Sequence, residues 1–377
     1  MAILNDIKTE AYRLGFELCS SISPQTPAHY PVFERWLAAG YHAGMKYLES
    51  DYSRKARHNP HFFFSECRSI VFVTVPYPYI PASTNPLKGN IASYALAQDY
   101  HLFIPQALEK LRVVIEQITA KPVISKACSD SAPILEHDLA WQAGLGWIGK
   151  NTCLISKQHG SFHLLAELLL DCELPDAVVN IEDDHCGTRT RCISACPTGC
   201  ILPNRTIDAS RCLSYHTIEN KGPIPENLRP LFSNQIFGCD ICQSVCPWNQ
   251  KKHMERSYSL FPARPDLASP DLISELSLSL ADFKQKFSGT PILRTKRRGY
   301  LRNICIALGN SHAIEAVPTL IALLKSEPEI LIRAHSAWAL GQIDHPDSRA
   351  ALDAARSSET DESVLLEVKN ALDGKNR

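Results

Sequence analysis

Eight of the fourteen cysteines fall between Cys186 and Cys246, and their spacing constrains this chain more than any other feature. The run Cys186–Cys192–Cys196–Pro197 is answered by Cys239-x-x-Cys242-x-x-x-Cys246-Pro247, so each half closes on Cys-Pro after a three-residue gap. In proteins that hold two cubane iron–sulfur clusters, the cysteine before proline ligates the cluster held mainly by the other half. A zinc ribbon also pairs cysteines, but its repeated C-x2-C lacks the trailing x3-C-P, and a disulfide framework fits less well still. The spacing therefore predicts two 4Fe–4S clusters and a protein that moves electrons.

A chain of 377 residues has room for two or three domains. Its apolar content of 45% and charged content of 21% are those of an ordinary soluble globular protein, and a net charge of −1 creates no global field toward nucleic acid. No run of eighteen apolar residues exists, and the start MAILNDIKTE carries no signal-peptide core. Thiolate ligands suit a reducing compartment, so a cytoplasmic location is expected. The remaining cysteines, Cys19, Cys67, Cys128, Cys153, Cys172 and Cys305, are expected as buried thiols.

Three stretches differ in character. In the first, Leu4, Ile7, Ala11, Leu14 and Leu18 share a helical face over 3–18, and Ser69–Val75 reads as a buried strand stopped by Pro76, Pro78 and Pro81. A helix over 104–118 and a strand at Pro122–Ser125 follow, which together favour a layered α/β or α+β domain. The second stretch, about 180–250, is dense in Pro, Gly and Asp, and is held by its clusters rather than by a core. After the linker Phe261-Pro262-Ala263-Arg264-Pro265, Ala307-Leu308-Gly309 and Ala339-Leu340-Gly341 recur 32 residues apart, each closing an amphipathic helix. That period marks an α-solenoid of HEAT type. Two repeats are few, so they are expected to dock on the preceding domain.

Several segments then combine: Asp99-Tyr100-His101, Asp130-Ser131-Ala132-Pro133, Ala143-Gly144-Leu145-Gly146-Trp147-Ile148-Gly149-Lys150, Cys196-Pro197-Thr198-Gly199, Arg211-Cys212-Leu213-Ser214-Tyr215, Phe237-Gly238-Cys239-Asp240-Ile241-Cys242 and Leu301-Arg302-Asn303. In this order, and over nearly the whole chain, they closely resemble the epoxyqueuosine reductase family. The resemblance implies a cobalamin-dependent enzyme that removes the epoxide oxygen of epoxyqueuosine in tRNA. It implies an α+β chain: an N-terminal α/β cobalamin-binding domain (1–178), a bacterial-ferredoxin-like iron–sulfur domain (179–260), and a linker with HEAT-like helical repeats (261–377). No D-x-H-x-x-G motif occurs, so no protein histidine is expected on the cobalt.

Site residues follow from the resemblance position by position. Asp130 matches the family's catalytic aspartate and is expected to protonate the departing oxygen, its pKa raised in a dry pocket; read alone, it would pass for a cap or turn aspartate. Arg57, Tyr94, Asp130, Ser214 and Asp240 are expected around cobalamin, and the glycine loop 144–149 as backbone close to the corrin. Asp99-Tyr100-His101 could equally just start the following helix. By the cross-over rule, Cys196, Cys212, Cys239 and Cys242 hold one cluster, and Cys186, Cys192 and Cys246 the other. Here the chain departs from the family pattern, because Arg189 stands where the second cysteine belongs and cannot act as a thiolate. The second cluster is therefore three-thiolate, with an iron labile or lost, unless Cys200 moves in.

Arg294, Lys296, Arg297 and Arg298 put four cations into six residues, with Arg302 beyond, and read as a phosphate track for tRNA. Lys221 is expected to add a contact. The partners expected are tRNA bearing epoxyqueuosine and a low-potential electron donor, with no membrane, and the chain acting as a monomer. Two other readings compete: a reductive dehalogenase-like enzyme acting on a small molecule, and a non-catalytic iron–sulfur electron-transfer protein.

Overall fold

Strand Ser69–Pro76 is buried along its whole length, as its unbroken apolar run requires. The computed structural model describes residues 2–177, 181, 184–250 and 257–374. They form two compact units, each assembled from separated stretches: Met1–Tyr79 with Ala97–Ser210 and Asp240–Ala263, and Ile80–Leu96 with Arg211–Cys239 and Arg264–Arg377. The cysteine-rich stretch is thus a unit of sequence but not of packing. The expected boundary at 178–179 lies outside the described residues.

In the first unit a four-stranded sheet runs in the order Leu18–Ile22, Ser69–Pro76, His163–Leu170, Ser125–Cys128. Every neighbouring pair is antiparallel, so this unit is α+β and not the α/β domain expected. Antiparallel neighbours need no helical crossover between them. Ile70 and Phe72 pack with Leu139 and Ala140 of helix Glu136–Gln142. By alternation Val71 and Val73 face the other way. They too are buried. Helix Ala2–Arg13 packs on strand Leu18–Ile22 and on helix Tyr100–Thr119, which itself touches the two strands at the far side of the sheet. Covering both faces accounts for the lack of polar alternation in Ser69–Val75.

Two element boundaries differ from the sequence reading. The first helix ends at Arg13 because Gly15 turns at φ +98°, and Leu18 already belongs to a strand. The ladder expected at Pro122 begins at Ser125 and ends at Cys128. Pro122 has no N–H to donate. Ile124 pairs with Asp171 instead, donating to its Oδ1 at 2.9 Å.

The second unit is mostly helical. Helices Lys296–Ser311, Ile330–Gln342 and Glu362–Leu372 stack in succession, with Val317–Ser326 and Pro346–Ser358 returning between them. The Ala-Leu pair recurs a third time at Ala371-Leu372, again 32 residues on, so the array holds one repeat more than the sequence reading found. Gly309 and Gly341 permit the close crossings. A Cβ on Gly309 would stand 2.6 Å from the Trp338 ring, and one on Gly341 2.6 Å from Ala371 Cβ. Helix Lys296–Ser311 also packs against strand Gln235–Phe237 and helix Leu213–Ile218, the docking expected for so short an array.

Arg302, which the sequence reading set beside the basic run, is the anchor of this docking. It is fully buried and donates to the carbonyls of His216, Asn220 and Gly222 at 2.5–2.8 Å. Asn303 donates to those of Thr217 and Ile236. Among the described residues no helix is long and apolar enough to cross a membrane.

Candidate functional site

Strand Ser125–Cys128 delivers Asp130 to the sheet's end. Ser129 Oγ ties the exit to Leu165 O at 2.8 Å, and Asp130 then takes a left-handed turn at φ +59°. Aspartate tolerates that conformation better than most side chains, though it still costs energy. Asp130 Oδ2 accepts from the Tyr100 hydroxyl at 2.8 Å, and its backbone N–H donates to Glu136 Oε2 at 3.3 Å. Tyr100 is only 8% exposed, being fixed in the first turn of its helix, and Asp99 caps that helix by accepting from His101 N. The reading of Asp99-Tyr100-His101 as a helix start is therefore right for Asp99. The Asp130 carboxyl is exposed and not enclosed in a dry pocket, and the capping position of the next helix is Leu135.

Behind Asp130 lies an acidic pair that sequence reasoning missed. Glu167 sits in the middle of the apolar strand His163–Leu170, opposite Phe72 and Cys128, and is fully buried. Neither of its oxygens meets a donor. Burial and then the neighbouring Glu136 hold its carboxyl well above the usual range; burial and then Asp130 raise Glu136 to about 7. Two adjacent carboxylates have no hydrogen to share, so the contact between them is favourable only when one is protonated. The signal was in the sequence: one acid inside Leu164-Leu165-Ala166-Glu167-Leu168-Leu169-Leu170.

Arg57 stands in the last turn of helix Asp51–His58, bonded to Ser53 Oγ and lying over the Phe33 ring at 5.7 Å. Burial lowers its pKa, opposed by Tyr47, Glu136 and Asp130, so its charge faces the acidic group. Glu136 also lines a cleft of about 660 Å³ walled by Phe33, Trp36, Trp141 and Trp147. The buried Trp147 Nε1 has no partner there. The glycine loop before it serves the protein's own packing: a Cβ on Gly146 would stand 2.1 Å from the Ile155 carbonyl.

Cys186, Cys192 and Cys246 line one cavity, with Arg189 at its edge. Trp147 and Ile155 pack against Cys186 and Cys246, and Trp248 stands 5.0 Å from Trp147. Burial raises the thiols of Cys192 and Cys246. Among the described residues no three Cys, His, Asp or Glu converge as ligands of a single metal ion. Three thiols lining one cavity are a donor set suited to an iron–sulfur cluster. Cys196 ends helix Arg191–Ala195, its Sγ 3.4 Å from that of Cys200, which pulls its thiol down to about 4. Cys200 is thus beside Cys196 and does not line the three-cysteine cavity. Asp240 starts the helix carrying Cys242, its carbonyl accepting from Ser244 N at 2.8 Å.

The second unit holds the other expected residues. Cys212 and Ser214 open helix Leu213–Ile218, Cys239 follows strand Gln235–Phe237, and the Tyr94 ring lies 6.5 Å from Phe237. The basic run proves heterogeneous. Arg297 grips Glu327 with both Nη atoms at 2.8–2.9 Å and donates its Nε to Leu278 O, so it is a structural residue and not the phosphate contact expected. Lys221 donates to the carbonyls of Ile218 and Arg294, and burial lowers its pKa; it too is committed to the fold and not to tRNA. Arg294 is half exposed beside Glu219, Lys296 is exposed, and Arg298 keeps a buried Nε with no partner.

Three family models match the chain: "Epoxyqueuosine reductase QueG, DUF1730" over 57–131, a 4Fe–4S double cluster binding domain over 185–249, and HEAT repeats over 291–373. The epoxyqueuosine reductase of Escherichia coli K12 is 37% identical over 347 residues, which cover 89% of this chain and 88% of that relative. A crystal structure of epoxyqueuosine reductase with an epoxyqueuosine-modified tRNA-Tyr stem loop superposes with a TM-score of 0.89 at 26% identity, covering 99% of this chain and 98% of the other. The Bacillus subtilis enzyme, solved with its catalytic aspartate loop swung out of the active site, gives 0.88 at 27% identity and covers 98% of each chain.

Proposed function

This chain belongs to the epoxyqueuosine reductase family, and we propose that it reduces epoxyqueuosine to queuosine in tRNA with Asp130 as the proton donor. It is an oxidoreductase with an iron–sulfur module and HEAT repeats. Opening the epoxide to an alkene expels its oxygen as water and consumes two electrons and two protons. Clusters deliver electrons singly at low potential. Cobalamin, when bound, supplies the two-electron reductant. The observation that carries the reading is the Asp130 turn. A carboxyl at a strand end, reached by a ligand and oriented by the Tyr100 hydroxyl, can give a proton to a departing oxygen once the bound ligand excludes water from it. The relative solved with its catalytic aspartate loop swung out of the active site supports placing this role on a turn of this kind.

The aromatic cleft beside Glu136 suits a large amphipathic ring, and the unpaired Trp147 N–H would be satisfied by one of cobalamin's amide carbonyls. Arg57, Tyr94, Ser214 and Asp240 are the further residues we assign to cobalamin. Cys196, Cys212, Cys239 and Cys242 hold one cluster, Cys186, Cys192 and Cys246 the other. Arg294, Lys296 and Arg298 contact tRNA phosphates. The stretches 1–178, 179–260 and 261–377 are modules of sequence carrying the cofactor, cluster and repeat motifs, and the protein works as a cytoplasmic monomer served by a low-potential donor. The test is turnover of an epoxyqueuosine-modified stem loop by anaerobically reconstituted protein. Queuosine formation that stops in Asp130→Asn, with cofactor content unchanged, supports the reading; undiminished turnover in that variant overturns it.

A further inference from the structure

Asn151 lines the same cavity as Cys186, Cys192 and Cys246, and of the other lining side chains it alone carries an oxygen. Asn151 is 4% exposed, and neither its Oδ1 nor its Nδ2 meets a partner. A buried amide left unpaired costs about 1–3 kcal/mol, and nearly all such groups are satisfied. The surroundings hold the amide in place. It sits in the turn between Trp147–Ile148 and Leu154–Ile155, where Thr152 donates its N–H to Gly149 O and takes φ +68°. Gly149 makes the room, since a Cβ there would stand 2.7 Å from Asn151 Oδ1. Lys150 Nζ then stitches this turn to the cysteine loop by donating to Gly187 O at 2.6 Å and Arg189 O at 3.0 Å.

Among the described residues that line the cavity, no side chain besides the three thiols and Asn151 offers iron a donor atom. Arg189 occupies the position of the missing cysteine but offers only N–H groups. Cys200 lies against Cys196, and Cys153 does not line the cavity. The cations around it, Lys150, Arg189 and Arg191, complement the negative charge of a thiolate-ligated cluster. We propose that Asn151 Oδ1 ligates the iron left without a thiolate, so that this chain's second cluster is a four-iron cluster with three cysteine corners and one amide corner. The inference rests on the reading that this cavity holds a cluster at all. An amide oxygen is a harder and weaker donor to iron than a thiolate. That corner is therefore the one that gives up its iron, leaving a three-iron cluster.

The test compares wild type with Asn151→Ala, Asn151→Asp and Asn151→Cys, all reconstituted anaerobically as the full chain. Iron and sulfide content, the EPR signal of the three-iron form, and the rate of iron release to a chelator are measured without substrate. Asn151→Ala should release the labile iron about tenfold faster than wild type, Asn151→Asp more slowly than wild type, and Asn151→Cys should resist release. Equal release rates in wild type, Ala and Asp variants would overturn the assignment, and the Asp variant keeps the comparison meaningful if Ala folds poorly. A wild-type protein with one cluster's iron and no three-iron signal would instead overturn the two-cluster reading.

Discussion

Asp130, Glu136 and Glu167 form one acidic group, and burial of the two glutamates decides how they respond to pH. Asp130 is exposed, Glu136 is half-buried and raised to about 7, and Glu167 is enclosed and held well above the usual range, with Cys128 opposite it and the Arg57 charge acting on Glu136. A raised folded-state pKa means that the native protein holds a proton that the unfolded chain has lost. Stability therefore falls as pH rises from the ordinary glutamate range through about 7. Glu167→Gln retains a donor toward Glu136 without the titration. It should flatten the decline in melting temperature between pH 5 and 8 and stabilise the protein at pH 8 by on the order of 1 kcal/mol. An unchanged pH dependence of thermal unfolding would show that the pair does not share a proton. At Asp130 the prediction concerns rate: Asp130→Ala should lose roughly two orders of magnitude in turnover while keeping its cofactors. Tyr100→Phe removes only the hydrogen bond that aims the carboxyl, so single-turnover rates should fall less, by about tenfold.

The helix Lys296–Ser311 shows how charges that look alike in sequence separate in the fold. Arg297 is 15% exposed and its partner Glu327 4%, so Arg297→Ala strands a buried carboxylate and should cost roughly 3–5 kcal/mol in denaturant unfolding. Lys296→Ala should leave stability within about 0.5 kcal/mol. If Arg294, Lys296 and Arg298 meet phosphates, neutralising Lys296 and Arg294 should weaken stem-loop binding and reduce the log–log salt slope by about 0.7–0.9 per residue. A slope unchanged in that double variant would remove the phosphate track. The motifs of this chain were legible because cluster chemistry and close helix crossings demand particular residues at fixed intervals, as at Cys239–Cys246 and Gly309. What stayed hidden depended on partners distant in sequence. Glu327 neutralises Arg297, the carbonyls of residues 216–222 claim Arg302, and the third repeat was missed because Asp373 replaces the glycine that marks the other two. The sheet's antiparallel order was equally hidden, since an apolar run buried on both faces does not record the direction of its neighbours.

At the scale of the molecule, an iron–sulfur module alone would serve electron transfer, and only the Asp130 turn and the aromatic cleft ask for more. Those two features distinguish the reductase from a non-catalytic carrier, because a carrier gains nothing from an exposed acid held in a left-handed turn at a cost in energy. Protein reconstituted anaerobically with iron, sulfide and cobalamin should therefore retain cobalamin absorption through gel filtration at close to one equivalent per chain. Trp147→Phe, which deletes the unpaired N–H and shrinks the buried ring, should weaken retention by at least about tenfold, the effect of one hydrogen bond at a buried site. Iron content should not change in that variant, since the clusters do not depend on the indole N–H. Absence of cobalamin absorption from a protein with full iron content would leave electron transfer as the function. Retention of cobalamin with turnover of a halogenated small molecule but not of the stem loop would favour the dehalogenase-like alternative, and the exposed cations of 294–298 would then have no nucleic acid to meet.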